Sequence, residues 1–247
     1  MVRVVRRDQL TPDAVALTLE DPHGEAIRFV PGQFLTLVLN IRGATLSRAY
    51  SICSDVNRPS SVQIGIRRVE RGVASNWLID HTPVGSELLV RGPSGHFGVA
   101  PERERAVHYA MWAGGSGITP MLAIMRAVLA GEPNSRISLL FGNRAAEDIM
   151  FATELDTLAV AHPTRLSVRH VLEDPHPRAA RLGRFDPAGV AADLASIATD
   201  KAGPTIHLLC GPTAMVEAIR RGLLDAGIDA ASIRQERFAS VEAATGA

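Results

Sequence analysis

The chain reads as two domains, an antiparallel β-barrel followed by an α/β domain with a parallel sheet. Three observations predict this. The first hundred residues carry short apolar runs separated by turn residues, the pattern of an antiparallel barrel or sandwich. Beyond residue 105, strand-like runs alternate with helix-like ones, which implies a parallel sheet with helices on both faces. Between the two regions lies Pro101-Glu102-Arg103-Glu104-Arg105, a charged, proline-marked stretch that suits a boundary. A length of 247 residues allows two domains of ordinary size, and 46% hydrophobic residues suit a folded globular protein.

In the first domain, taken as residues 1–101, the expected strands are 14–19, 34–39, 62–66 and 87–90. Turns fall at Asp21-Pro22-His23-Gly24, Pro31-Gly32 and Arg42-Gly43. One helix is expected over 74–79. In the second domain, residues 102–240, strands are expected over 107–112, 136–141, 166–172 and 205–210. Helices are expected over 120–129, 147–158, 190–197 and 213–226. Residues 241–247 are small and polar and read as a frayed end or a linker.

The net formal charge is +0, so nothing argues for a nucleic-acid or membrane surface. The two cysteines, Cys53 and Cys210, allow one disulfide, but a reducing cytoplasm is the simpler reading. Met1 to Asp8 carry charges with no apolar core behind them, unlike a signal peptide. The stretch from Ala106 to Ala130 has the length of a membrane span. Gly114, Gly115, Gly117 and Pro120 break it, so a buried strand, a tight turn and a helix are expected.

That turn is the first candidate site. Gly114-Gly115-Ser116-Gly117-Ile118-Thr119-Pro120 follows a strand and opens a helix. Helix-start N–H groups lack intrahelical partners and, with the helix dipole, attract an anion such as a pyrophosphate. Glycines let the backbone come close, and Pro120 suits a first helical turn. Pro120 stands where the third glycine of the usual dinucleotide fingerprint would be, so a ligand-free turn is the plain alternative. Phe141-Gly142-Asn143-Arg144 and Cys210-Gly211-Pro212 also end strands, where open α/β sheets bind ligands. Met215 follows in the next helix. Cys210 by itself reads as a buried structural thiol.

The first domain holds the second set. Arg48-Ala49-Tyr50-Ser51 combines a cation for phosphate, a flat ring for stacking and a hydroxyl for hydrogen bonding. Taken alone it favours an ordinary strand with a buried tyrosine and a surface arginine. Gly72-Val73-Ala74-Ser75 opens the predicted helix, a second place for a phosphate, with Ile66 and Arg67 just before it. His96 reads as a turn residue, and Glu236-Arg237-Phe238 as a terminal strand.

In this order, across residues 5 to 240, these segments resemble the ferredoxin–NADP⁺ reductase superfamily. The resemblance implies FAD on the first domain and NADPH or NADH on the second. Arg48, Ala49, Tyr50, Ser51, Ile66, Arg67, Gly72, Val73, Ala74, Ser75 and Phe238 would hold the flavin. Gly114, Gly115, Gly117, Thr119, Pro120, Asn143, Arg144, Cys210, Gly211, Pro212 and Met215 would hold the nucleotide, with Thr119 between the two rings. Ser51, Cys210 and Glu236 would be the catalytic residues, Cys210 by position and not as a nucleophile. Arg144 would meet a 2′-phosphate, which points to NADPH. Asp148 lies where some NADH-preferring relatives carry an acid, and is otherwise a solvated helix-start residue. No metal site is implied.

Reductases of ring-hydroxylating and related oxygenases are the most similar sub-group. Many of them continue into an iron–sulfur domain with four cysteines, and this sequence holds no such cluster. It is therefore expected to be a stand-alone flavoprotein or a piece cut before that domain. The expected activity is an NAD(P)H-dependent flavoprotein oxidoreductase that passes single electrons to a ferredoxin, another iron–sulfur protein or an oxygenase component. One alternative is an NAD(P)H:flavin reductase that releases reduced flavin. Another is a non-catalytic sensor or regulatory subunit.

Overall fold

A computed structural model describes residues 1–197 and 203–238. The terminal segment 241–247 lies outside the described residues. The first domain is a six-stranded antiparallel barrel. Its strands are β1 (Val2–Thr11), β2 (Ala14–Glu20), β3 (Phe34–Ile41), β4 (Ala44–Ser51) and β5 (Ser61–Arg67), then, after the helix α1 (Val73–His81), β6 (Glu87–Ser94). They lie in the order β4-β3-β6-β1-β2-β5. Alternation drives β3: Leu35, Leu37, Leu39 and Ile41 are buried, while Thr36, Val38 and Asn40 face outward. Arg42 and Gly43, both at positive φ, form the two-residue turn that joins β3 to β4. The charged strand β1 escapes sequence patterning because only Val2, Val4 and Thr11 of its ten residues are buried. β6 runs through Gly92-Pro93-Ser94.

The barrel closes at a single bridge, Ile52 to Ile64, and Cys53 N donates to the Gln63 carbonyl at 2.8 Å. Beyond that bridge β4 and β5 form no ladder, which leaves a slot between Tyr50 and Ile66. The helix α1 plugs the barrel with Ala74, Leu78 and Ile79.

The second domain carries β7 (His108–Gly114), a 3₁₀ turn (Gly115–Gly117), α2 (Ile118–Gly131), β8 (Arg136–Asn143), α3 (Ala152–Ala161) and β9 (Leu166–Leu172). It continues with β10 (Ala179–Leu182), α4 (Pro187–Ile197), β11 (Thr205–Gly211), α5 (Thr213–Asp225) and β12 (Ile233–Arg237). The sheet is parallel, in the order β10-β9-β8-β7-β11-β12. All seven residues of β7 are buried, as expected of a central strand covered on both faces. One core contains α2 and Leu155 of α3; the other contains α4 and α5. The break in the apolar stretch 106–130 is therefore a strand, a tight turn and a helix. Among the described residues no helix is long and apolar enough to cross a membrane.

The helix expected over 147–158 starts only at Ala152. Residues Ala146–Asp148 form a 3₁₀ turn, and Phe151 takes a left-handed φ of 58°. The cause is tertiary: Asp148, Met150 and Phe151 are drawn against the barrel.

The seam between the domains has an apolar centre. Ala14, Ala16, Cys53, Phe97 and Val99 share one core with α2, and Ala123 of α2 belongs to the barrel core. Arg126 of α2 donates to the Cys53 carbonyl and pairs with Glu154. The two cysteines are free and buried.

The chain leaves β7 toward β8 on one side and later places β11 on the other. The ends of β7 and β11 are thus the switch point where such sheets form a ligand crevice.

Candidate active site

The slot between β4 and β5 brings together most of the residues expected to hold FAD. Tyr50 is half-buried on one lip, and burial pushes its hydroxyl up to about 12, against the opposing pull of Arg48. Its proton therefore stays on, and the ring offers a neutral stacking face. Arg48, two residues back on the same strand face, spends only one bond, from Nη1 to its neighbour's carbonyl at 2.9 Å. Ser51 ends the strand and is buried; Ala49 points to the outer face and is exposed.

On the other lip, Gly72 is the N-cap of α1 and supplies no side chain to it. The N–H groups of Val73, Ala74 and Ser75 are the unpaired first-turn donors. Ser75 Oγ accepts from Val69 N at 3.3 Å, which folds the loop 69–72 over the helix start. A Cβ on Gly72 would lie 2.8 Å from Ser75 Oγ, so only glycine admits this fold. A slot, a neutral ring, a free guanidinium and a bare helix start fit a flavin dinucleotide.

Two of the expected flavin residues border the slot by their backbone but turn their side chains from it. Ile66 is wholly buried in the barrel core. Arg67 faces away from the slot: its Nε lies 2.9 Å from Asp13 and its Nη2 3.0 Å from Asp148. It lines a second cavity, of about 520 Å³, at the carboxyl ends of β7, β8 and β11.

This cleft gathers Gly114, Gly115, Asn143, Arg144, Pro212 and Met215. The glycines divide their tasks. A Cβ on Gly117 would fall 2.1 Å from the Cys210 carbonyl oxygen, and one on Gly114 2.3 Å from Met215 Sδ. These two admit the turn to β11 and α5. Gly115, at φ +52°, is the one open toward Arg67, whose Nη1 would be 3.5 Å from an added Cβ. Pro120 occupies the third position of α2, within the first turn.

Asn143 is 8% exposed, and neither its amide nitrogen nor its amide oxygen has a partner. An unpaired buried amide is costly, so a polar ligand is the natural complement. Arg144 extends outward, its side chain 73% exposed, with Nε 3.4 Å from Asp148. Asp148 itself is 5% exposed and bonded, unlike the solvated helix-start residue of the plain sequence reading.

Sequence reasoning missed part of the wall. Glu173 follows β9; its backbone N–H reaches the carbonyls of Asn143 and Arg144, and its carboxylate pairs with Arg184 at 2.8 Å. Phe185 packs on Gly142, where a Cβ would lie 2.7 Å from the ring, and edge-on against Trp112. Position alone could have flagged Glu173, the first residue past a strand end. Phe185 carries no local signal.

Where the two halves meet, Ala113, Cys210 and Glu236 stand in one row across β7, β11 and β12. Burial, with the nearby Glu236 adding to it, pushes the Cys210 thiol far up, so it stays protonated and is no nucleophile. Burial also raises Glu236, and His96 of the barrel opposes this. That places His96 within electrostatic reach of the seam. Gly211, at φ +153°, and Pro212 turn the chain beneath the cleft. Phe238 follows β12 and is 38% exposed. Thr119, by contrast, is buried against β5.

A barrel whose β4 and β5 part beside a bare helix start, joined to a parallel sheet with a cleft at its carboxyl edge, is the architecture of a two-domain flavin–nicotinamide oxidoreductase. Comparison with known proteins agrees. Residues 1–98 match the oxidoreductase FAD-binding domain family, and residues 111–221 match the oxidoreductase NAD-binding domain family. A component of the 1,2-phenylacetyl-CoA epoxidase of Escherichia coli is 35% identical over 238 residues, covering 95% of this chain and 66% of that protein. The ferredoxin reductase component of a Mycobacterium tuberculosis 3-ketosteroid-9-alpha-monooxygenase is 36% identical, covering 87% of this chain and 56% of that protein. NADH-cytochrome b5 reductase 1 of Mortierella alpina is 30% identical, covering 92% and 74%. Among solved structures, the Amycolatopsis cytochrome P450 reductase GcoB superposes with a TM-score of 0.83 at 27% identity, over 96% of this chain and 68% of that one. The chain belongs to the ferredoxin–NADP⁺ reductase superfamily of FAD- and NAD-binding oxidoreductases. It spans about 66% and 56% of the length of the first two relatives.

Proposed function

We propose that this chain takes a hydride from a nicotinamide nucleotide onto FAD and passes electrons singly to a protein acceptor, an iron–sulfur protein or an oxygenase component. One observation carries the reading: strand β5 serves both sites. Its slot edge faces Tyr50, while Arg67 at its end lines the nucleotide cleft. One strand that borders both sites brings the two ligands to a common meeting point, and hydride transfer there needs reacting atoms about 3–3.5 Å apart.

FAD, when bound, supplies the exchange between two-electron and one-electron chemistry. The protein's part is placement. Arg48 and the N–H groups of residues 73–75 hold the flavin phosphates, and Tyr50 stacks on its ring. The Ser51 hydroxyl lies at the same end of β4. Arg67 and the turn at Gly115 hold the nucleotide pyrophosphate, so Arg67 is assigned to the nucleotide rather than to FAD. Asn143 and Glu173 face the adenosine ribose, with Arg144 at the rim. Cys210, Gly211 and Pro212 shape the nicotinamide floor, and Met215 closes it behind Gly114. Glu236 keeps its proton to a higher pH than an ordinary carboxyl and stands at the reacting edge. Phe238 covers the flavin face until the nicotinamide enters.

The domain limits are placed at 1–101 and 102–240. Two free buried thiols suit a cytoplasmic setting. The acceptor class rests on the relatives named as components of an epoxidase and of a monooxygenase.

The test is the visible spectrum of the purified protein, followed by anaerobic addition of NADH or NADPH. A yellow protein that bleaches supports the proposal. A colourless protein that bleaches only added flavin supports release of free reduced flavin instead. No bleaching with added FAD removes the enzymatic reading.

A further inference from the structure

The alternation of β5 turns Val62, Ile64 and Ile66 into the barrel core. Gly65 and Arg67 therefore face the other domain. In the ladder with β2, Gly65 stands opposite Ala16, and Arg67 opposite Ala14. Ala14 and Ala16 already belong to the core that contains α2. The barrel thus presents a floor of small residues to the start of α2.

Thr119 fills that floor. A Cβ on Gly65 would lie 2.6 Å from Thr119 Cγ2, 3.1 Å from Met150 Cε and 3.4 Å from Phe151 Cε2. The methionine is flexible and can give way. Thr119 cannot. It is β-branched, 2% exposed, and its Oγ1 donates to the Ser116 carbonyl at 2.9 Å. Rotating the methyl away would break that bond or drive it into the turn. Any side chain at residue 65 therefore pushes the first turn of α2, and the glycine turn with it, off the flavin strand. Normal carbon contacts need about 3.5–4.0 Å, so the displacement is on the order of 1 Å.

We propose that Gly65 is a positioning residue for hydride transfer: its bare α-carbon admits Thr119 to β5 and so sets the separation of the flavin from the nicotinamide. This rests on the proposed function above. Gly65 touches neither ligand. It acts through Thr119, and a misplacement of this size costs roughly 100-fold in a reaction that depends on ring separation.

The test is anaerobic single-turnover flavin reduction by the nucleotide that bleaches the parent protein faster, in the parent, G65A, T119S and G65A/T119S. In G65A the limiting rate falls roughly 10- to 100-fold, while the dissociation constant of the nucleotide moves far less. T119S deletes the methyl that the new Cβ meets and keeps the hydroxyl. The double variant therefore recovers to within about threefold of T119S alone. An unchanged limiting rate in G65A, or a double variant whose loss is the product of the two single losses, overturns the proposal. If G65A is recovered without flavin, the double variant decides: regained flavin and turnover support the seat, and a second failure overturns it. A parent protein that neither nucleotide reduces removes the proposed function itself; a normal parent with an unaffected G65A removes only the role of Gly65.

Discussion

Arg67 of β5 and Asp148 of the segment after β8 are held 3.0 Å apart across the seam between the domains, with Asp13 on the other side of the same guanidinium at 2.9 Å. The pair lines the cleft at the carboxyl ends of β7, β8 and β11, so one arginine both ties the domains and, under the proposed function, offers a cation to a pyrophosphate. Asp148 shares its charge between Arg67 and Arg144.

Removal of this cation is expected to weaken the nucleotide and spare the flavin. In Arg67→Met the dissociation constant for the nucleotide should rise roughly tenfold or more, the scale of one lost charge-assisted hydrogen bond. FAD content should stay at the parent level. Stopped-flow reduction across a range of nucleotide concentrations separates the dissociation constant from the limiting rate. Loss of FAD with an unchanged dissociation constant would return Arg67 to the flavin site.

Glu173 is expected to weigh against a 2′-phosphate. It lines the same cleft as the orphaned Asn143 amide, and its carboxylate holds Arg184, whose side chain is 79% exposed. Glu173→Gln removes the like charge and frees Arg184 together. The NADPH-to-NADH ratio of kcat/KM should rise by about tenfold, the equivalent of roughly 1.4 kcal/mol. Steady-state kinetics with both nucleotides check this; an unchanged ratio would remove Glu173 from the ribose end.

His207 of β11 is expected to make folding pH-dependent. Burial, with His108 nearby, lowers it to about 4, and Trp112 Nε1 donates to its Nδ1 at 3.3 Å. Charging the ring would remove that acceptor. The folded value lies below the ordinary 6.5 of an unfolded chain, so the unfolded state takes the proton first. This contribution is fully present above pH 6.5 and is lost as the pH falls from there toward about 4. The loss is on the order of 3 kcal/mol. Urea unfolding at pH 7 and pH 4.5 should show the fall, and His207→Gln should shrink it.

Most elements of the fold were legible because their patterns are local. The strand over 166–172 ends where expected, since Leu166, Val171 and Leu172 are bounded by a loop and by Glu173. The helix expected from Glu147 was not, because Asp148 and Phe151 obey contacts with the barrel rather than helical propensity. β1 and the short edge strand β10 were illegible for another reason: few of their side chains are buried.

The site divides in the same way. The glycine turn and the flavin strand announce themselves in short runs of sequence, since helix-start chemistry and bare backbone need particular residues at adjacent positions. By itself the sequence determined the two-domain class, the FAD- and NAD-binding character of the domains and their order along the chain. Only the tertiary structure decided that Arg67 turns to the cleft at the carboxyl ends of β7, β8 and β11, that Glu173, Arg184 and Phe185 line it too, and that Gly65 seats Thr119. Those are contacts between residues up to 81 positions apart, as for Arg67 and Asp148. Such contacts are set by which face of a strand meets which turn, and no local pattern encodes that meeting.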